Sequence, residues 1–425
     1  MMSDNRKLNV KRIASAVLIA AAAICCAVLV IKLKKGSQAV GKLSAVTTEE
    51  ETTAAAETAA ETVPVTTAEP TTEPPDDVTV RIGEMSLHEK VCQLFVVTPE
   101  SLTNGENYSV AGEMTKAALK DYPVGGLVYF AKNIDSAEAI SQMIANTKQY
   151  AAEQGMVPLF YSVDEEGGTV ARCAEKAGTN WFSSMYYYKE SGKDTAFANA
   201  ETIGSDIAGL GFDLDFAPVA DTWSNPYNTV IGSRAYSDDF HQSADLVASA
   251  VEGFHSGGVY CTLKHFPGHG DTAGDSHYGA VYTDKTIAEL TQGEYLAFES
   301  GIASGADMVM VGHITMNGVD GLPATLSHTM ITDELRGRLG FEGVVITDSL
   351  SMGAVADVYG SGELAVKVIE AGGDMLLMPR DLGEAVRGVE AAVSEGRITE
   401  ERIEESLDRI LRLKSERSDI KKGGI

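Results

Sequence analysis

The residue types able to do chemistry gather in three short segments. The densest, KHFPGHGDTAGDSH from Lys264 to His277, places three His, two Asp and one Lys in fourteen residues, punctuated by Pro267, Gly268, Gly270 and Gly274. Two chemistries fit such a stiff loop. His265, His269, Asp275 and His277 supply a zinc-ligand set. Alternatively Asp275, two residues before His277, orients that imidazole and stabilises its protonated form for proton transfer. Spacing alone does not separate the two. The second segment, DEEGGTVAR from Asp164 to Arg172, sets an Asp directly behind an apolar run, and its Gly pair permits a sharp turn that brings Arg172 back toward the same place. In the third, VVITDSLSM from Val344 to Met352, Asp348 follows a β-branched run. A carboxylate on so stiff an element suits a nucleophile, a substrate ligand or a metal ligand.

Such groups need a frame that brings them to one place. From Met85 onward, short apolar runs alternate with longer amphipathic stretches, the pattern of βα units around a parallel sheet. Eight runs read as strands: Cys92 to Val97, Gly126 to Phe130, Leu159 to Val163, Asp213 to Ala217, Tyr260 to Lys264, Asp307 to Val311, Gly343 to Thr347 and Asp374 to Met378. Ser136 to Gln154, Ala196 to Leu210, Phe240 to Gly257 and Ile287 to Gly305 read as helices between them. The expected fold is α/β, a single (β/α)8 TIM-type barrel over residues 78–415; a doubly wound sheet with a second domain is the alternative. A barrel presents its catalytic groups just beyond the carboxyl ends of its strands. Asp164, the Lys264–His277 loop and Asp348 follow the third, fifth and seventh runs.

Taken in order across residues 80 to 415, these three segments resemble the β-N-acetylglucosaminidases of glycoside hydrolase family 3, and Ala217-Pro218-Val219-Ala220-Asp221 and the Asn228 to Arg234 segment agree with them. The resemblance implies a retaining exo-β-N-acetylglucosaminidase, a β-N-acetylhexosaminidase acting on terminal non-reducing N-acetyl-β-D-hexosamine in peptidoglycan fragments or chitooligosaccharides. It makes Asp348 the nucleophile, His277 the general acid/base and Asp275 its partner. It gives Asp164, Arg172, Arg234, Lys264 and His265 the sugar to hold, and it implies no metal and no cofactor. A histidine suits the second role because its pKa already lies near neutrality. The family's β-glucosidases are the nearest alternative. They take their acid/base Glu from a further domain, and the 47 residues after Met378 favour the histidine mechanism. A non-catalytic surface sugar-binding protein is the alternative of another class, against which Asp348, Asp275 and His277 argue. The chain departs from the family pattern at Glu165, where Gln is usual, and at Ser349, where Asp is common. The Glu165 carboxylate is expected to bear on which sugars or peptides are accepted.

The rest of the chain concerns placement. Of 425 residues, 34 are Lys or Arg and 61 Asp or Glu, a net charge of −27. Residues 1–43 hold eight bases and one acid, 44–77 hold nine acids and no base, and the remainder holds 26 bases against 51 acids. That excess repels nucleic-acid phosphates and anionic lipid headgroups. Ile13 to Ile31 is free of charge and at about 1.5 Å per residue spans a bilayer's hydrocarbon layer. It is longer than the apolar core of a cleaved signal peptide, so an uncleaved, single-pass helix is expected after a basic tail of residues 1–12; cleavage would give a secreted form. Residues 32–77, with ten Thr and four Pro from residue 44 on, read as a disordered spacer holding the barrel outside a bacterial cell. Residues 416–425 read as a tail. The cysteines form no disulfide framework, and the oligomeric state is open, with a monomer as the simpler expectation.

Overall fold

The computed structural model describes residues 76–105, 108–272, 274 and 279–420. The expected membrane span and nearly all of the expected spacer lie outside the described residues, as do Asp275 and His277. Asp76 caps a helix, its carboxylate accepting from Thr79 N at 2.9 Å, so Asp76 and Asp77, read from the sequence as the end of the spacer, belong to a helix. That helix, α1 (Asp77–Glu84), and α2 (Leu87–Cys92), closed by a Ser86/Glu89 capping box, lead into the barrel.

The strands are β1 (Phe95–Val97), β2 (Gly126–Tyr129), β3 (Phe160–Val163), β4 (Leu214–Asp215), β5 (Tyr260–Phe266), β6 (Val281–Thr283), β7 (Met308–Val311), β8 (Ile314–Met316), β9 (Val344–Thr347) and β10 (Leu376–Leu377). Eight of them form one parallel sheet in the order β10-β1-β2-β3-β4-β5-β7-β9. Seven of the eight runs read from the sequence contain their strand whole, and the fifth, Tyr260 to Lys264, stops two residues short of the end of its strand, β5; these are the eight strands of the barrel. Every residue in them is buried, as a parallel sheet covered by helices requires, which is why they read as continuous apolar runs rather than alternating ones. The order follows the chain without the reversal that marks a doubly wound sheet. Between β9 and β10 the ladder reduces to a bridge, Ile346 to Met375, with Thr347 N donating to Met375 O at 3.0 Å. The result is a nearly closed eight-stranded barrel.

The outer layer contains α3 (Glu113–Asp121), α4 (Ala137–Glu153), α5 (Lys193–Leu210), α6 (Phe240–Ser256), α7 (Tyr295–Ala303), a π-wound segment Thr329–Arg338, α8 (Ser361–Ala371), α9 (Leu382–Ser394) and α10 (Glu400–Ile420). Where one helix was expected over Ile287–Gly305 there are two, Ile287–Thr291 and α7. The break falls at Gly293, where an added Cβ would lie 3.0 Å from the Phe240 ring, and at Glu294, whose buried carboxylate pairs with Lys285. The chain bends there to satisfy both contacts. β6 and β8 form a separate two-stranded parallel sheet. No helix among the described residues is long and apolar enough to cross a membrane.

Candidate active site

The loops leaving the carboxyl ends of β3, β4, β5, β9 and β10 surround a cavity of about 320 Å³. Asp164, Arg172, Arg234, Lys264, His265 and Asp348 all line it, so every described residue assigned a role by the resemblance reaches one place.

β5 delivers two of these groups in succession. Adjacent side chains on a strand normally point to opposite faces. Here Lys264 pairs with Met310 and Phe266 with Val311, so one step of β7 faces two of β5 and His265 is the extra residue. A bulge of this kind re-aims the strand, and both Lys264 and His265 line the cavity. Lys264 Nζ lies 2.7 Å from Asp164 Oδ1 and 2.6 Å from Glu166 Oε1. Glu166 also receives Arg234 through two parallel bonds, Nε to Oε2 and Nη2 to Oε1, both 2.8 Å. Burial by itself would drive the Glu166 carboxyl up, but the Arg234 and Lys264 cations outweigh it and hold that carboxyl far below the usual carboxylate range. Burial opposes the charge on Lys264 as well, and Asp164 and Glu166 reverse the effect and raise its pKa.

The turn after β3 is built as its glycines suggest. Gly167 and Gly168 have φ of 81° and 61°, a region costly for other residues. A Cβ on Gly168 would also fall 2.3 Å from Ser184 Oγ. Glu166 N donates to Val170 O at 2.8 Å, which folds the chain back and places the Arg172 guanidinium 5.8 Å from the Phe130 ring centre on the cavity wall. Glu165 does not behave as expected. Its carboxylate turns away from the cavity and accepts from Arg172 N at 2.6 Å and Cys173 N at 2.9 Å. It supports the loop that carries Arg172 and does not line the cavity.

Asp221, at the end of the APVAD segment, anchors the loop after β5. Its carboxylate accepts from His265 Nδ1 at 2.7 Å and from His269 N at 2.6 Å. That bond fixes the His265 tautomer and leaves Nε2 as the ring's remaining polar atom. His269 Nδ1 lies 2.7 Å from Thr272 Oγ1, and burial lowers the His269 pKa despite Asp221.

Asp348 follows β9 with its amide bonded to Val311 O at 2.9 Å, while Oδ1 accepts from Ser349 N at 2.7 Å. Burial opposes its ionisation, yet His265, His313, the Ser349 amide and Lys264 together lower its pKa. The carboxylate is therefore anionic at neutral pH, half-buried on the cavity wall beside Lys264. His313 steadies the next residue, its Nε2 donating to Ser349 O at 2.9 Å. Glu166, Asp221 and His313 escaped the sequence reading. Glu166 stood inside the DEEGG segment and Asp221 closed the APVAD segment, each directly beside residues already singled out. For His313 the available sign was its place two residues beyond β7.

Residues 86–413 match the glycosyl hydrolase family 3 N terminal domain. The chain belongs to glycosyl hydrolase family 3. Among its relatives, Beta-hexosaminidase A of Pseudoalteromonas piscicida is 33% identical over 325 residues, covering 70% of this chain and 54% of that protein. Beta-hexosaminidase of Xylella fastidiosa strain M23 is 35% identical over 278 residues, 64% of this chain and 81% of the relative. A family 3 β-N-acetylglucosaminidase structure from Paenibacillus sp. str. FPU-7 superposes with a TM-score of 0.74 at 37% identity, over 80% of this chain and 64% of that one. The chain thus spans about half the length of the Pseudoalteromonas relative and about two thirds of the Paenibacillus one.

Proposed function

We propose that this family 3 chain is a retaining exo-β-N-acetylhexosaminidase that removes terminal non-reducing N-acetyl-β-D-hexosamine from peptidoglycan fragments or chitooligosaccharides. The observation that carries the reading is the ionised, half-buried Asp348 in a cavity of about 320 Å³ walled by Asp164, Lys264, Arg234, Arg172 and His265. In the first step Asp348 attacks the anomeric carbon, the glycosidic C–O bond breaks, and His277, held by Asp275, gives its proton to the leaving oxygen. In the second, neutral His277 takes a proton from water, whose oxygen displaces Asp348 from the same carbon. Two inversions keep the β configuration. Asp164 and Lys264 suit sugar hydroxyls, one as acceptor and one as donor, and the Glu166 bridge holds Lys264 and Arg234 in place. Names of relatives that are hexosaminidases support the sugar assignment.

The test is hydrolysis of nitrophenyl β-GlcNAc and nitrophenyl β-glucoside by the wild type and by Asp348→Asn and His277→Ala. The account expects the GlcNAc glycoside to be cleaved much faster; faster cleavage of the glucoside would reassign the specificity. EDTA should leave the rate unchanged. The site further belongs, in this reading, to a protein anchored by residues 13–31 with the barrel outside the cell on a residue 32–77 spacer. Protease added to intact cells should then release the barrel, and no release would count against that placement.

A further inference from the structure

In the proposed reaction the cavity of about 320 Å³ at Asp348 takes the terminal N-acetylhexosamine unit, the one that is removed. The remainder of an oligomer must lie on the loops at the barrel mouth. Among the described residues, the large aromatic side chains left exposed are Tyr108, Trp181, Tyr187, Tyr227 and Tyr282. Every one sits in a connection that leaves the carboxyl end of a barrel strand, and none sits on the outer helices or in the connections at the opposite end. Scattered exposed apolar residues need no explanation, but rings confined to one face mark a surface that meets something.

Two of the loops that carry these rings connect directly to residues of the cavity wall. The 3-10 segment Met185–Ser191 packs against Gly232–Arg234, so it backs the wall that carries Arg234. Tyr186 meets Trp223 edge to face with ring centres 5.1 Å apart and Tyr187 at 6.2 Å. Tyr186 is itself pinned, its hydroxyl donating to Asp238 Oδ2 at 3.0 Å and accepting from Lys189 Nζ at 2.9 Å. The cluster is therefore rigid, and it holds Tyr187 71% exposed. The loop that carries Trp223 also carries Tyr227, 87% exposed, before continuing to Val230 and Ile231 of the cavity wall. A pyranose ring offers a flat face of C–H bonds with hydroxyls around its edge. Stacked on an aromatic ring it buries apolar area while its hydroxyls stay in water. The excess of acidic residues, 51 against 26 from residue 78 on, disfavours an anionic polymer there and favours a neutral one.

We propose that the loops of residues 180–191 and 221–237 form a binding surface for the rest of a neutral β-linked amino-sugar oligomer whose terminal unit fills the cavity. The proposal rests on the hexosaminidase reading of the cavity and extends it: the preferred substrate is an oligomer, recognised by ring stacking beyond the unit that is removed. The experiment measures kcat/KM of the full chain on N-acetylglucosamine oligomers of increasing length and on nitrophenyl β-GlcNAc. The wild type should favour longer oligomers. Tyr187→Ala should lower kcat/KM on the tetramer about tenfold more than on the nitrophenyl glycoside, the scale of one aromatic stacking contact, with the loss in KM. Tyr187→Phe, which keeps the ring, should restore the oligomer preference. Equal losses on both substrates, or an oligomer preference that survives Tyr187→Ala and Tyr227→Ala together, would overturn the proposal. If the wild type cleaves neither substrate, the hexosaminidase reading fails, and titration with the tetramer still tests the surface. Weaker binding in the double variant then supports it, and unchanged binding refutes it.

Discussion

Replacing Glu166 by Gln tests whether the cationic groups of the cavity are held by one buried carboxylate. Glu166 accepts three charge-assisted bonds, one from Lys264 at 2.6 Å and two from Arg234 at 2.8 Å, and its side chain is 3% exposed. Bonds to charged groups contribute about 1.5–3 kcal/mol each, which sets an upper range when summed. The amide keeps one carbonyl as acceptor and Lys264 keeps Asp164, so the loss falls below that sum. Arg234 is left with its bond to Val230 O at 3.1 Å and an amide N–H where a carboxylate oxygen had been. Removing one member of a buried pair costs about 3–5 kcal/mol, and that is the expected destabilisation. Urea unfolding at pH 7 should show it as a lower midpoint at unchanged slope, with kcat/KM falling as well because Arg234 and Lys264 both line the cavity. Glu165→Gln serves as the comparison. Its carboxylate accepts from the backbone amides of Arg172 and Cys173, and burial raises its pKa, so the neutral amide should be tolerated with a loss of about 1 kcal/mol. A Glu166→Gln protein as stable as the wild type, or less harmed than Glu165→Gln, would refute the reasoning.

Asp348→Asn should reduce kcat on the order of 10⁴-fold or more while leaving the unfolding midpoint nearly unchanged, the pattern expected when one member of a catalytic unit is lost; a variant within about tenfold of wild type removes Asp348 from the chemistry. The pH dependence of kcat/KM should be bell-shaped. Because the Asp348 pKa is lowered from 3.8, activity should persist to below about pH 4 and be lost as that carboxylate protonates, while the alkaline limb should fall as the proposed histidine acid loses its proton. A rate that keeps rising to pH 9 would exclude a protonated histidine as the acid. Asp215, buried beside Glu165, has its pKa pushed well above 3.8, chiefly by burial. The folded state thus holds a proton there that the unfolded state releases, so its contribution to stability is full at low pH and declines as pH rises above about 4, by up to about 1.4 kcal/mol per unit. Asp215→Asn should flatten that decline in urea unfolding as pH is raised above about 4; an unchanged slope would show the group to be ionised in the fold.

The parts of this protein legible in its sequence are those where one physical signal dominates. Buried parallel strands are apolar on both faces, so β2, β3, β7 and β9 stood out as short unbroken runs with boundaries within a residue. Groups just beyond those runs were legible because a barrel has one mouth. What escaped depends on partners distant in sequence. Glu165 and Glu166 are adjacent and chemically identical, yet one faces two cations and the other two backbone amides; only the fold of the Gly167–Gly168 turn decides which. Lys264 and His265 share the cavity because of a register shift against β7 that no local pattern announces. The break before α7 likewise follows from the nearness of Phe240 to Gly293, more than fifty residues apart in sequence.

The central claim is that Asp348 forms a covalent bond to the sugar. Incubating the protein with a fluorinated N-acetylglucosaminide that forms the intermediate quickly and releases it slowly, then digesting it and measuring peptide masses, tests this directly. The account predicts one adduct, carried on Asp348, together with a β-configured first product by NMR. An adduct on another residue, or an α-configured first product, would contradict it.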